Sequence, residues 1–220
     1  MRCLAGLLLC ACASPSTPPP EAAPAPSTTA TPYADPVRPP KRHLGRASVE
    51  MYSLPREPTC LRFPLGDADG QGARKTQEFQ SARKHLGEDW VVDGAKSRGA
   101  PIHAITGGYV TDAYDYGSAG PEEGCWGRVV RIVHRLDEGE HVWVESLYAH
   151  LLTIDVELGQ RVERGQVIGT VGDAGCSGDH LHWELRDSMN LPLGHGYGSD
   201  TTGYVEPSVY VAARRCEDPA

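Results

Sequence analysis

Five short runs rich in β-branched and aromatic residues, each bounded by glycine or another turn former, limit what this chain can fold into: residues 101–110, 129–134, 142–147, 166–171 and 181–185. Runs of that length and make-up read as strands. Segments with a 3.6-residue apolar period are scarce, and residues 76–84 are the one stretch that predicts a short helix. The expectation is a mainly β fold, a compact antiparallel β-sheet or β-barrel-like sandwich with few short helices.

Composition says where that fold begins. Ten of the 18 prolines fall between Pro15 and Pro40, whereas nearly all of the 25 glycines come after Gly45. Proline and small polar residues without apolar periodicity bury too little surface to offset the entropy of ordering. Residues 12–48 are therefore expected to be an extended or disordered tether, with an upper reach of roughly 110 Å at ~3.1 Å per residue. A single domain is expected over residues 49–220, and about 170 residues suffice for one sizeable core. Ahead of the tether, Met1 and Arg2 make a short basic start to a nine-residue apolar run, so residues 1–11 read as a signal peptide. Leu9-Cys10-Ala11-Cys12 resembles the lipobox of bacterial lipoproteins, which would make Cys12 the lipidated residue and the membrane a partner through that anchor. An ordinary cleaved signal and a mis-set start codon are the alternatives. The location implied is exported: the periplasmic face of a membrane, the outer membrane favoured because Ala13 follows the cysteine, or the cell surface.

The net charge of −8 and the lack of a long lysine and arginine stripe argue against nucleic acid as a partner. Apart from the extreme N-terminus, no apolar run approaches the ~20 residues that span a bilayer. Beyond Cys12 the cysteines are Cys60, Cys125, Cys176 and Cys216, an even number that suggests two disulfides in an exported domain. Three pairings are possible. Cys60 with Cys216 is favoured because the two bracket the domain, and Cys125 with Cys176 because both sit in glycine-rich loops.

Chemistry concentrates in residues 175–184, Gly-Cys-Ser-Gly-Asp-His-Leu-His-Trp-Glu. On a strand, His180 and His182 share one face while Leu181 and Trp183 turn to the other. Two imidazoles side by side suggest a metal, although two hydrogen-bonded histidines in a sheet would give the same pattern. Glu184 falls on the face of the histidines and could orient an imidazole, or form an ordinary surface salt bridge. Three more pieces join them: His85-Leu86-Gly87-Glu88-Asp89-Trp90, Tyr148-Ala149-His150-Leu151, and residues 156–172, whose glycines are spaced as in a tightly turned hairpin. His103, His134, His43, His141 and His195 carry no comparable pattern.

In this order the pieces resemble the lysostaphin/LytM-type zinc endopeptidases, which cut the peptide part of bacterial peptidoglycan. The resemblance runs from about Phe63 to Tyr210. It implies that His85, Asp89 and His182 hold one Zn2+ per chain and that His150 and His180 are catalytic, one taking the proton of the attacking water and the other steadying the oxyanion. Three protein ligands leave the fourth tetrahedral position open, as a catalytic zinc site requires. A zinc-dependent endopeptidase acting as a monomer on peptidoglycan peptide is the function implied. The alternative is a non-enzymatic LytM-like activator or wall-binding module, a reading in which the ligands are typically missing. A lipoyl- or biotinyl-type carrier is excluded because no lysine follows Lys96.

Overall fold

The computed structural model describes residues 54–94, 96–117, 125–137, 143–173, 178–188 and 191–216. The expected signal peptide, Cys12, the proline-rich tether and Cys176 lie outside the described residues. In chain order the elements are β1 (Ala73–Gln77), β2 (Glu88–Val92), β3 (Pro101–His103), β4 (Gly108–Asp115), β5 (Arg128–Arg135), β6 (Trp143–Ile154), β7 (Arg161–Val162), β8 (Val167–Val171), β9 (Leu181–Arg186), β10 (Tyr204–Val205) and the short helix α1 (Pro207–Ala212).

The strands form one open sheet in the order β1-β2-β9-β6-β5-β4-β7, with β10 on β9 and β8 joined to both β6 and β3. Every pairing between these strands is antiparallel. Strand β9 lies between β2 and β6, so Asp89 and Ala149 both stand opposite His182. The pleat then sorts side chains by face. Trp90, Leu181, Trp183, Leu185, Tyr148, Val130 and Ile132 go to one side and form the main core. Trp183 is fully buried there, with Phe63 and Trp90 at ring distances of 6.2 and 6.4 Å. Aromatic contacts of this kind add about 0.5–1.5 kcal/mol each to the area they bury. Asp89, His182, Glu184 and Arg186 go to the other side, beside a small apolar group of Trp126, Val129, Leu147 and Ala149. The core thus anchors the strands whose opposite face carries the polar site.

Three expectations are corrected. Residues 76–84 are not helical: β1 runs to Gln77, and Gln80 and Lys84 take φ of 51° and 59° in the turns that follow. The turn is tied to the site, since Gln80 donates to the His85 carbonyl from its backbone nitrogen at 2.7 Å and again from its side chain. The helix that does form, α1, begins with Pro207 in its first turn, where a missing N–H costs nothing. Residues 156–172 are not a self-paired hairpin either, because β7 pairs with β4 while β8 pairs with β3 and β6. The run 101–110 is two strands, broken between His103 and Gly108.

Cys60 and Cys216 form a disulfide with a Cα separation of 4.7 Å. Cys125 is also disulfide-bonded. Among the described residues, no helix is long and apolar enough to cross a membrane.

Candidate metal centre

Strand β2 and the residues just before it bring two groups to one point. Gly87, between His85 and Asp89, makes the close approach to β9 possible: a Cβ there would stand 2.6 Å from the Trp183 carbonyl and 3.0 Å from His182 Cε1. With that contact made, His85 Nε2 lies 2.9 Å from His182 Nδ1, His182 Nδ1 lies 3.2 Å from Asp89 Oδ1, and His85 Nε2 lies 3.4 Å from Asp89 Oδ1. All three residues are buried. Ligand atoms ~2.0–2.1 Å from a tetrahedral zinc stand roughly 3.3 Å from one another, so three N and O donors at these separations fit the ion.

The protonation pattern fits as well. Burial pushes His182 down, but the carboxylates of Asp89 and Glu184 on its two nitrogens outweigh it and raise the imidazole to about 9. As an imidazolium it donates from Nδ1 toward His85 and Asp89, and from Nε2 to Glu184 Oε1 at 3.0 Å. Burial and the neighbouring His182 hold His85 down at about 4, leaving it neutral with Nε2 as acceptor. Burial works against the Asp89 carboxylate, yet the hydrogen bond from His182 and the surrounding imidazoles bring it below its ordinary value. One proton is therefore shared by three donor atoms that a divalent cation would take together.

The other two histidines stand beside this triad. His180 precedes β9 in a bridge to Gly172, donates from Nδ1 to the Gly178 carbonyl at 2.8 Å, and has Nε2 3.6 Å from Asp89 Oδ1. His150 reaches the site by a different device. Strand alternation places Tyr148 in the core and Ala149 on the site face, and would return His150 to the core. Pairing of β5 with β6 jumps from Val130↔Tyr148 to Arg128↔Leu151, leaving Ala149 and His150 opposite Val129 alone. In this bulge His150 takes φ of 64°, and its ring turns to lie 4.6 Å from His180 and 5.7 Å from His182. Gly172 permits the bend, because a Cβ there would meet the Leu152 nitrogen at 2.7 Å and the His150 carbonyl at 2.9 Å. Burial, then the charges of His182 and His180, pushes His150 down to about 3.

Glu184 is not on the surface: it is fully buried, receives His182 on one oxygen and binds Arg186 on the other at 2.6 and 2.8 Å. Trp126, which the resemblance includes in Gly124-Cys125-Trp126-Gly127 without a role, and Tyr197 flank the centre with rings 5.3 Å from His182 and 5.1 Å from His85. Strand alternation, carried two residues past Glu184, would have pointed to Arg186. Nothing local in the sequence places Trp126 or Tyr197. His103 and His134 lie elsewhere, bonded to the carbonyls of Gly165 and Gly107.

An antiparallel β protein that gathers two histidines and an aspartate around one point, beside two more histidines, offers a candidate site for one metal ion. The chain belongs to peptidase family M23, whose model matches residues 83–193 and so spans all five of these side chains. It is 30% identical over 129 residues to the glycyl-glycine endopeptidase ALE-1 of Staphylococcus capitis, a match covering 53% of this chain and 32% of that protein. Lipoprotein NlpD of Yersinia enterocolitica is 36% identical over 94 residues, 43% of this chain and 84% of its own length. Among solved structures, a zinc-containing peptidase from Vibrio cholerae is similar at 28% identity and a TM-score of 0.43, over 57% of this chain and 36% of that one. The chain thus spans about a third of the ALE-1 protein.

Proposed function

We propose that the domain is a zinc-dependent endopeptidase that hydrolyses peptide bonds in peptidoglycan cross-links or stems. The observation that carries this reading is the convergence of His85 Nε2, Asp89 Oδ1 and His182 Nδ1 at 2.9–3.4 Å from one another, with the rings of His150 and His180 alongside. When bound, zinc would supply a Lewis acid for the scissile carbonyl and bring a water toward neutral pKa.

The remaining steps belong to the chain. His85, Asp89 and His182 are the ligands in this reading, and burial of all three excludes competing water from their side. Of His150 and His180, one accepts the proton of the attacking water and the other donates to the oxygen that gains charge. Either can act as a neutral acceptor or, once protonated, return the proton to the leaving amine. The substrate bond is proposed to be a direct D-amino-acid cross-link rather than a glycine bridge, since an exported, disulfide-bearing lipoprotein anchored through Cys12 favours that setting. Cys125 and Cys176 are proposed to be the second disulfide, pinning a loop beside the groove, and the protein to act as a monomer.

The test is zinc content and turnover in the same preparations. His182→Ala is expected to lose both metal and cleavage of purified sacculi, whereas His180→Ala keeps about one zinc per chain and loses most turnover, by a factor of ~10²–10⁴ for a missing general acid or base. An apo His180→Ala protein reverses the assignment of the pair. A wild-type domain with stoichiometric zinc that leaves sacculi uncut, with and without partner amidases, sinks the enzyme reading in favour of an activator or wall-binding module. Product analysis on defined muropeptides identifies the bond.

A further inference from the structure

A fully buried arginine behind the candidate metal centre has all its donors committed, and they point to two different things. Arg186 gives Nε and Nη2 to Glu184 Oε2 at 2.8 and 2.6 Å. Its Nη1 and Nη2 also reach the carbonyls of Pro192 and Leu193, each at 3.1 Å, and Nη1 stands 3.5 Å from Glu145 Oε1. Glu184 passes the contact on, because its other oxygen accepts the Nε2 proton of His182. An imidazole that donates from Nε2 must present Nδ1 to a metal, and Nδ1 is the atom that faces His85 and Asp89.

The residues held on the far side of Arg186 form a wall of the same site. Leu193 packs on the Trp126 group, and Trp126 donates to the Gly194 carbonyl at 3.0 Å. Gly196 accepts from the Leu86 backbone at 2.9 Å, and a Cβ at Gly196 would touch His182 Cε1 at 3.5 Å. Arg131 adds a bond to the Leu191 carbonyl while paired with Glu145. Residues 191–196 therefore lie over His182 on one side and hang from Arg186 on the other.

We infer that Arg186 is a positioning residue that couples this wall to the metal centre: through Glu184 it fixes which nitrogen of His182 faces the ion, and through the Pro192 and Leu193 carbonyls it sets the wall beside it. The inference rests on the reading of the site as a zinc centre. A planar fork is needed for both tasks at once. Lysine carries the same charge on a single point with three donors, too few for the four bonds that Arg186 makes to Glu184 and the two carbonyls.

Zinc affinity, measured by competition with a chromophoric chelator, is the readout. Arg186→Lys is expected to fold and to bind zinc about 10–100-fold more weakly, the usual loss when the partner of a ligand is disturbed. Ile132→Val, on the core face of the sheet, serves as the control for stability and is expected to keep wild-type affinity. A folded Arg186→Lys protein within about twofold of wild type overturns the inference, as does a loss no larger than that of the control. If Arg186→Lys does not fold, Glu184→Asp carries the test: it keeps the carboxylate beside Arg186 but withdraws it from His182, and the same two outcomes decide. A wild-type protein that binds no zinc refutes the zinc reading itself, and the inference with it.

Discussion

His134 is fully buried on β5, its Nδ1 donating to the Gly107 carbonyl at 2.9 Å and its Nε2 accepting from the Ser146 hydroxyl at 2.7 Å. Burial pushes it from an ordinary 6.5 to about 4, with the Gly107 bond opposing. The unfolded chain therefore binds a proton between pH 6.5 and 4 that the folded one refuses, so stability is full above 6.5 and falls as pH drops through this window. At 1.36 kcal/mol per unit the loss approaches roughly 3 kcal/mol. Urea unfolding at pH 7 and pH 4.5 should show a smaller acid loss in His134→Gln than in wild type by about that amount, and equal losses would rule the mechanism out. At this scale spacing alone pairs His85 with Asp89 and His180 with His182, whereas joining those pairs and His150 into one centre rests on the resemblance to a known family. The route by which His150 joins them is not legible in the sequence, because simple alternation sends it to the core and only the bulge, with its φ of 64°, turns it back.

Between elements, the contact of β2 with β9 is the one on which the centre depends, and Gly87 controls its spacing. A methyl group at Gly87 would stand 2.6 Å from the Trp183 carbonyl and 2.8 Å from Glu184 Cγ, and the carbonyl is backbone that cannot swing aside. Gly87→Ala should push β2 away from β9, carrying Asp89 from His182. The expected cost is about 1–3 kcal/mol of stability, accompanied by weaker zinc binding; a variant with unchanged urea midpoint and chelator competition would show that the strands have slack. The strands themselves were readable where both faces have a job, as in β5 and β9, whereas β6 continues to Ile154, well past the expected end at residue 147. Residues 76–84 misled because their helix-favouring side chains sit at the sheet edge and in a turn bonded to the His85 carbonyl, so tertiary contacts override local propensity. The glycine spacing of residues 156–172 indicated turns correctly but not partners, since β7 and β8 pair with other strands.

Over the whole molecule, the bond between Cys60 and Cys216 closes a ring spanning a sequence separation of 156 residues around every strand of the sheet. Next to it Leu61 bridges Arg215, with the Leu61 nitrogen donating to the Arg214 carbonyl at 2.8 Å, and Leu61 itself is fully buried in the core. The disulfide thus ties the segment after α1 to the segment before β1, alongside the Leu61–Arg214 bond and an ion pair of Arg215 with Asp69. Cross-linking so long a loop removes much of the freedom of the unfolded chain, and the expected contribution is about 2–5 kcal/mol. The candidate metal centre draws on β2, β6 and β9, none of which contains either cysteine, so it should survive reduction at low temperature. Non-reducing peptide mapping should recover Cys60 joined to Cys216 and Cys125 joined to Cys176. The Cys60→Ser, Cys216→Ser double variant should then unfold at lower urea by that margin while binding zinc with wild-type affinity when folded. Loss of zinc in the folded double variant would place the centre under the control of the chain ends, against the view that the strands alone position it.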